Sequence, residues 1–332
     1  MVEYGRTTTN EAVASKWLQS PFHHLVRTGE SALRRKLGDD DAAEFPILAE
    51  LRAEGQTEYM AFLHRFAGEG VIGEMDCVYS SWTTDASSGF ADAEAERLRR
   101  WLPSLGLAVK CTSLARIAGT LVETYLGRDP GRRVLSGDIA RGVAERIRAV
   151  VWFSDLQGFT SITDTAAPEE IIPLLNDYAE AVISAVHEAG GDVLKLIGDG
   201  ILAIFKAEDP AEACRYALQA EGLTRDRIAA LNVRRAEQGL AVTDAYLGLH
   251  VGEVLYGNIG SSAERLDFTV VGPAVNEASR IAVLCRSIER AVLVSPTFAA
   301  AALPADRARL VSVGRYALRG VGQSQELFTL EA

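Results

Sequence analysis

Residues 193–205, VLKLIGDGILAIF, are two apolar runs of five residues parted by Gly198-Asp199-Gly200. Runs this short, closed on a glycine-flanked turn, predict a β-hairpin. A second apolar run, AVVWFSD at 149–155, reads as a buried strand and also stops on an aspartate, 44 positions before Asp199. If these strands are neighbours, Asp155 and Asp199 emerge at one edge of a sheet, where two carboxylates repel and raise each other's pKa. A divalent cation removes that penalty, and hard oxygen ligands suit Mg2+ or Mn2+. The competing reading is structural: one aspartate caps a turn and the other a helix start. The bare pattern leaves both open.

The residues after Asp155 weight the first reading. Leu156-Gln157-Gly158-Phe159-Thr160 leads towards a helix, and a glycine-containing loop there presents free backbone N–H groups to a phosphate. Carboxylates beside such a loop suit nucleotidyl transfer assisted by two metal ions.

The chain has 332 residues, more than one hydrophobic core usually serves, so more than one domain is expected. Residues 1–103 have a mixed texture, with strands expected at 57–66 and 75–84 and a helix beginning in ADAEAERLRRWLPSL. From 104 to 126, Leu107, Cys111, Leu114, Ala118, Leu121 and Tyr125 follow a 4-3-4-3-4 spacing. That spacing fits a core-facing helix or a short parallel coiled coil between two protomers. GRDPGRR at 127–133 should end it. The seven arginines from Arg116 to Arg148 are expected on a solvated face. Three regions separate by texture: 1–103, 104–148 as a helical linker, and 149–332. In the last, a helix is marked by Ile171, Leu175, Tyr178, Val182 and Val186, its regular start delayed by Pro173. Helices alternating with strands predict an α+β sheet covered by helices.

Charge and composition exclude several classes. Thirty-four basic against 45 acidic residues leave a net charge of −11, which argues against nucleic acid as a partner. The most apolar stretch, 291–303, is short and holds Pro296, so no membrane span is expected. No signal peptide is visible, and the scattered Cys77, Cys111, Cys214 and Cys285 read as reduced thiols of a cytoplasmic protein. None of the five histidines has metal-ligand spacing.

FSDLQGFT, KLIGDGILAIF, LGLHVGEVLYGNIG and DFTVVGPAVNEASR, in that order, resemble the successive signatures of the class III adenylate/guanylate cyclase catalytic domain, from about Ala149 to Leu330. The resemblance implies a ferredoxin-like or palm-like sheet and a homodimer with sites built across its interface. It implies two cations per site, Mg2+ or Mn2+, on Asp155, Asp199 and the Leu156 carbonyl. Gly158, Phe159 and Thr160 would face the phosphates. Lys195 matches the position that contacts adenine N1, and Thr269 falls where many members carry an Asp reading the adenine amino group. A lysine has no acceptor for guanine N1–H, so ATP is the expected substrate. Asn276 matches the residue orienting the ribose and Arg280, four residues on and hence on the same helix face, the one meeting the α-phosphate. Arg319 is a weaker candidate for the terminal phosphates. Gln157, Pro273 and Glu277 depart from the usual pattern without removing a catalytic group. The expected product is 3′,5′-cyclic AMP; a guanylate cyclase or an inactive nucleotide-binding module are the alternatives. The front half loosely resembles a smaller α/β GAF-type sensor, taking an unknown small-molecule or protein signal.

Overall fold

The computed structural model describes residues 16–38, 44–66, 77–140, 142–261, 265–319 and 322–331. They divide into two units, Met1–Ala118 and Gly119–Ala332.

In the first unit, α1 (Pro21–Thr28), β1 (Ala32–Lys36), α2 (Pro46–Ala53), β2 (Glu58–Arg65) and β3 (Cys77–Thr84) precede a long helix, α3 (Asp92–Leu126). The strands form an antiparallel sheet in the order β1-β2-β3. Central β2 buries both faces: Tyr59, Ala61 and Leu63 meet Leu25, Leu33 and Leu48, while Met60 and Phe62 meet Ala95 and Leu102 of α3. That is why YMAFL reads as a continuous apolar run. Buried Glu58 is neutralised by Arg34 at 2.6 Å.

Helix α3 differs from expectation. It begins at Asp92 and carries Pro103 inside it, so 104–126 is its continuation. The heptad seam is not buried: Leu107, Cys111, Leu121 and Tyr125 are exposed, whereas Leu102, Gly106 and Ser113 are buried. Between Pro103 and Glu123 it carries only Lys110 and Arg116 as charges. Among the described residues it is the one helix long and apolar enough to cross a membrane by length and composition. The stretch at 291–303, by contrast, is divided between a strand and a short helix.

Gly127, at φ +90°, ends α3, but RDPGRRVL then forms its own helix, α4 (Arg128–Leu135). Its arginines are not all solvated. Arg133 lies over the Tyr256 ring at 5.2 Å and pairs with Asp129 at 3.3 Å. Asp129 in turn accepts from Lys206 and from the Tyr256 hydroxyl.

The rest of the second unit runs β4 (Ala144–Leu156), α5 (Phe159–Thr165), α6 (Pro168–Glu188), β5 (Asp192–Ile197), β6 (Gly200–Phe205), α7 (Pro210–Glu237), β7 (Ala245–Ser261) and β8 (Arg265–Val271). It closes with α8 (Pro273–Ser287), β9 (Val292–Val294), α9 (Pro296–Ala301), α10 (Pro304–Arg307), β10 (Leu310–Tyr316) and β11 (Gln325–Leu330). The strand order is β10-β11-β9-β7-β4-β6-β5, with β8 paired to β7; among the described residues only β7 and β9 run parallel. Strand β4 starts five residues before the expected Ala149. Helix α6 starts at Pro168 and continues through Pro173, giving up one i→i−4 bond instead of a turn.

Alternation along β4 sorts its side chains between faces. Val150, Trp152 and Leu156 pack with Tyr178, Val182 and Val186 of α6 and with α7. Val151 and Phe153 pack with Tyr256, Phe268, Val270 and Ala278 on the α8 face. A sheet buried on both faces leaves its strand ends as the places where polar chemistry can meet solvent.

Candidate active site

Asp155 is the penultimate residue of β4, and Asp199 sits in the two-residue turn between β5 and β6, where Ile197 pairs with Gly200. β4 and β6 are hydrogen-bonded neighbours, so both carboxylates come to one sheet edge, as expected. The Leu156 N–H donates to Asp199 Oδ2 at 3.3 Å. Burial, and then Asp199 as hydrogen-bonding and like-charged neighbour, push the Asp155 carboxyl up to about 6. Gly200 permits this closeness: a Cβ there would lie 2.8 Å from the Ser154 carbonyl oxygen.

Two carboxylates this close lack positive charge, and the donor set suits a hard divalent cation. Among the described residues no group of three or more His, Cys, Asp or Glu side chains is arranged for a metal. A cation here would therefore complete its shell with backbone carbonyls, water or substrate oxygens, as Mg2+ commonly does. A cavity of about 160 Å³ lies beside the pair, lined among others by Leu156, Ile172, Leu175, Asn176 and Leu196.

Lys195 is half-buried on β5. Its Nζ donates to Asp267 Oδ2 at 2.6 Å, an ion pair linking β5 to β8 across 72 positions of sequence. Thr269 lies two residues along β8 from Asp267 and so on the same strand face. It is 5% exposed, and its Oγ1 finds no partner among the described residues. Lys195, Asp267 and Phe268 line one wall of a groove of about 820 Å³. Sequence reasoning missed Asp267, although its position in DFTVV, two before Thr269, was the available signal.

Asn276 and Arg280 stand on α8, Asn276 exposed and Arg280 half-buried. Neither side chain makes a hydrogen bond or ion pair with a described residue, and nothing polar joins them to the Asp155–Asp199 pair. Glu277, the departure beside Asn276, points inward: Gln325 Nε2 donates to it, and it lies 3.7 Å from His250 Nε2. Burial pushes His250 below its usual range while Glu277 opposes that shift. Gly158, at φ +66°, caps α5; Gly158 and Thr160 are exposed, and Phe159 packs partly on the core. Arg319 is exposed between β10 and β11 and makes no polar contact with a described residue.

The sequence profile of the adenylate and guanylate cyclase catalytic domain matches residues 143–332. The chain belongs to that family. An adenylate cyclase of Anabaena cylindrica is 36% identical over 162 residues, 48% of this chain and 31% of that protein. Adenylate cyclase 1 of Rhizobium meliloti is 29% identical over 187 residues, 54% of this chain and 27% of that protein. An uncharacterized protein of Mycobacterium tuberculosis is 33% identical over 212 residues, 62% and 37% of the two lengths. This chain thus matches only about a third of the length of these relatives.

Among solved structures, the adenylyl cyclase CyaB from P. aeruginosa is similar with TM-score 0.52 and 23% identity, over 57% of this chain and 96% of that one. A bacterial light-regulated adenylyl cyclase gives TM-score 0.55 and 22% identity, over 67% and 62% of the two chains. At these identities the likeness speaks for the fold.

Proposed function

We propose that this chain is an adenylate cyclase, converting ATP to 3′,5′-cyclic AMP and pyrophosphate at sites shared between the two protomers of a homodimer. The observation that carries the choice of base is the Lys195–Asp267 ion pair. It holds a cationic donor of β5 against β8, two residues along that strand from the buried, unpartnered Thr269 hydroxyl. Lysine offers N–H donors for adenine N1 and nothing for guanine N1–H, and the threonine hydroxyl can accept from the adenine amino group.

Divalent cations, Mg2+ or Mn2+ and two per site, would be held by Asp155, Asp199 and the Leu156 carbonyl, acidifying the ribose 3′-hydroxyl and offsetting triphosphate charge. The chain's own groups do the rest. Lys195 and Thr269 seat the base, and Asn276 orients the ribose. The forked Arg280 guanidinium meets the charge that builds on the α-phosphoryl oxygens. Backbone N–H groups of Gly158, Phe159 and Thr160 face the β- and γ-phosphates, with Arg319 a further candidate for them. The 3′-oxygen forms a bond to the α-phosphorus as the bond to the bridging oxygen breaks. Pyrophosphate leaves, and the hydroxyl proton passes to solvent or substrate.

One protomer would supply Asp155 and Asp199, its partner Lys195, Thr269, Asn276 and Arg280. The exposed heptad seam of α3 suits a parallel pairing of two protomers, which would let the first unit, read as GAF-like and regulatory, act on the catalytic unit. A guanylate cyclase is the second reading, favoured by one observation: the Asp267 carboxylate is an acceptor close to the same position. The chain given Mn2+ with ATP or with GTP, products resolved chromatographically, separates the two. Cyclic AMP with equimolar pyrophosphate is expected. Cyclic GMP as main product, or none from either nucleotide, overturns the proposal.

A further inference from the structure

Every backbone hydrogen-bonding group of Gln157, the residue after the Leu156 carbonyl, is held by two residues from a distant part of the chain. Its N–H donates to the Asp244 carbonyl at 2.8 Å. Its C=O accepts from the Thr243 hydroxyl. Residues 243–244 lie just before β7, on the side of β4 away from β6 and the Asp199 turn.

Peptide planarity turns these two bonds into aim. In a trans peptide the N–H and C=O point in opposite directions, and the described chain has no cis bond. With the Gln157 N–H tied to Asp244, the Leu156 carbonyl must point the other way, towards the β6 side. The Leu156 N–H, which shares its direction in an extended strand, does reach Asp199 there. With the Gln157 carbonyl tied to Thr243, the Gly158 N–H is turned away from 243–244. Gly158 is exposed, and its N–H donates to no described residue.

Thr243 is itself clamped. Its N–H donates to the Tyr178 hydroxyl at 2.7 Å, and its C=O accepts from Asn232 Nδ2 at 2.8 Å. The Tyr178 hydroxyl closes the ring by donating to Asn232 Oδ1. Tyr178 is 1% exposed and Thr243 9%. Arg225 holds Asp244 at 2.7 Å and the Ala245 carbonyl at 2.7 Å. A buried, satisfied network of this kind holds geometry more firmly than its members would singly. It reaches Gln157 only through the backbone and makes no use of its side chain.

We propose that Thr243, braced by Tyr178 and Asn232, is a positioning residue whose hydroxyl sets the direction of the Gly158 N–H towards a substrate phosphate. This rests on the cyclase reading above. Thr243→Val keeps the shape and removes the donor; Thr243→Ser restores it.

The test is binding of 3′-deoxy-ATP, which lacks the attacking hydroxyl, to the full chain with Mn2+, by calorimetry. Competition by 3′-deoxyadenosine, which carries no phosphate, is measured beside it. The expected result for Thr243→Val is a loss of roughly tenfold for the triphosphate, the scale of one hydrogen bond to a charged group. The nucleoside should be unaffected, and Thr243→Ser should recover most of the loss. Tyr178→Phe, which loosens the brace, should move the triphosphate constant in the same direction. Unchanged triphosphate binding in a folded Thr243→Val protein overturns the proposal, and so does an equal loss for nucleoside and triphosphate. If neither Thr243→Val nor Tyr178→Phe folds, Thr243 is a folding residue and the proposal fails. A parent protein that neither binds 3′-deoxy-ATP nor cyclises ATP removes the cyclase reading itself.

Discussion

Replacing Asp155 by Asn should stabilise the metal-free protein while abolishing its chemistry. Burial and Asp199 lift the Asp155 carboxyl from 3.8 to about 6, so its ionised form is the one the fold disfavours. At 1.36 kcal/mol per unit, and discounted for partial exposure, the penalty at neutral pH is about 2 kcal/mol. The sign comes from proton counting. Below the unfolded pKa both states hold the proton, and the native state suffers nothing. Between the unfolded and folded values the native state keeps a proton that the unfolded chain has released, so stability falls as pH rises. Above the folded value the loss is complete. Asn cannot ionise and escapes it. In urea unfolding with chelator, Asp155→Asn should exceed the parent by no more than about 0.5 kcal/mol at about pH 4 and by ~2 kcal/mol at about pH 8. Trp152, fully buried on β4, reports the transition by fluorescence. Mn2+ should then reverse the order, because a cation that binds only the native parent stabilises it alone. A variant less stable than the parent at the higher pH without metal would refute the reasoning, as would a difference that does not change with pH.

Three further outcomes are expected. Asp199→Ala should drop cyclic nucleotide production to background while leaving the far-UV spectrum unchanged, since alanine replaces a carboxylate but no packing; retained turnover would remove the metal assignment. Lys195→Glu with Thr269→Cys should lower ATP use and raise the GTP:ATP preference by an order of magnitude or more, because an acceptor then faces guanine N1–H; an unchanged ratio in a folded, active variant would mean these residues do not read the base. Asp155→Ala and Arg280→Ala chains, each nearly inactive alone, should recover roughly a quarter of full activity when co-expressed, since half of randomly paired dimers are mixed and half their sites are intact. Demonstrated heterodimers with no gain would rule out the shared site.

Much of this protein was local enough to read directly. The apolar runs closing on Asp155 and around Gly198-Asp199-Gly200 made the two strand ends legible, because a period-2 or continuous apolar pattern and a two-residue turn depend only on adjacent residues. The same locality placed Asn276 and Arg280 on one helix face. Other features were decided by contacts between distant segments. Nothing adjacent in sequence pairs Lys195; its partner Asp267 arrives on β8, which is not a ladder neighbour of β5. Glu277 looked like a departure until His250 and Gln325 met it behind α8. Arg133 looked solvated until the Tyr256 ring lay beneath it. Helix α3 ran through Pro103, and its heptad seam stayed exposed within the single chain, although spacing alone allowed a core-facing face. Thr243 carried no signal at all. Its hydroxyl acts on the peptide after Gln157 only because β7 pairs with β4 and delivers residues 243–244 to that strand's end. Side-chain periodicity determines which residues turn inward; which inward residues meet is determined by the order in which the strands pair.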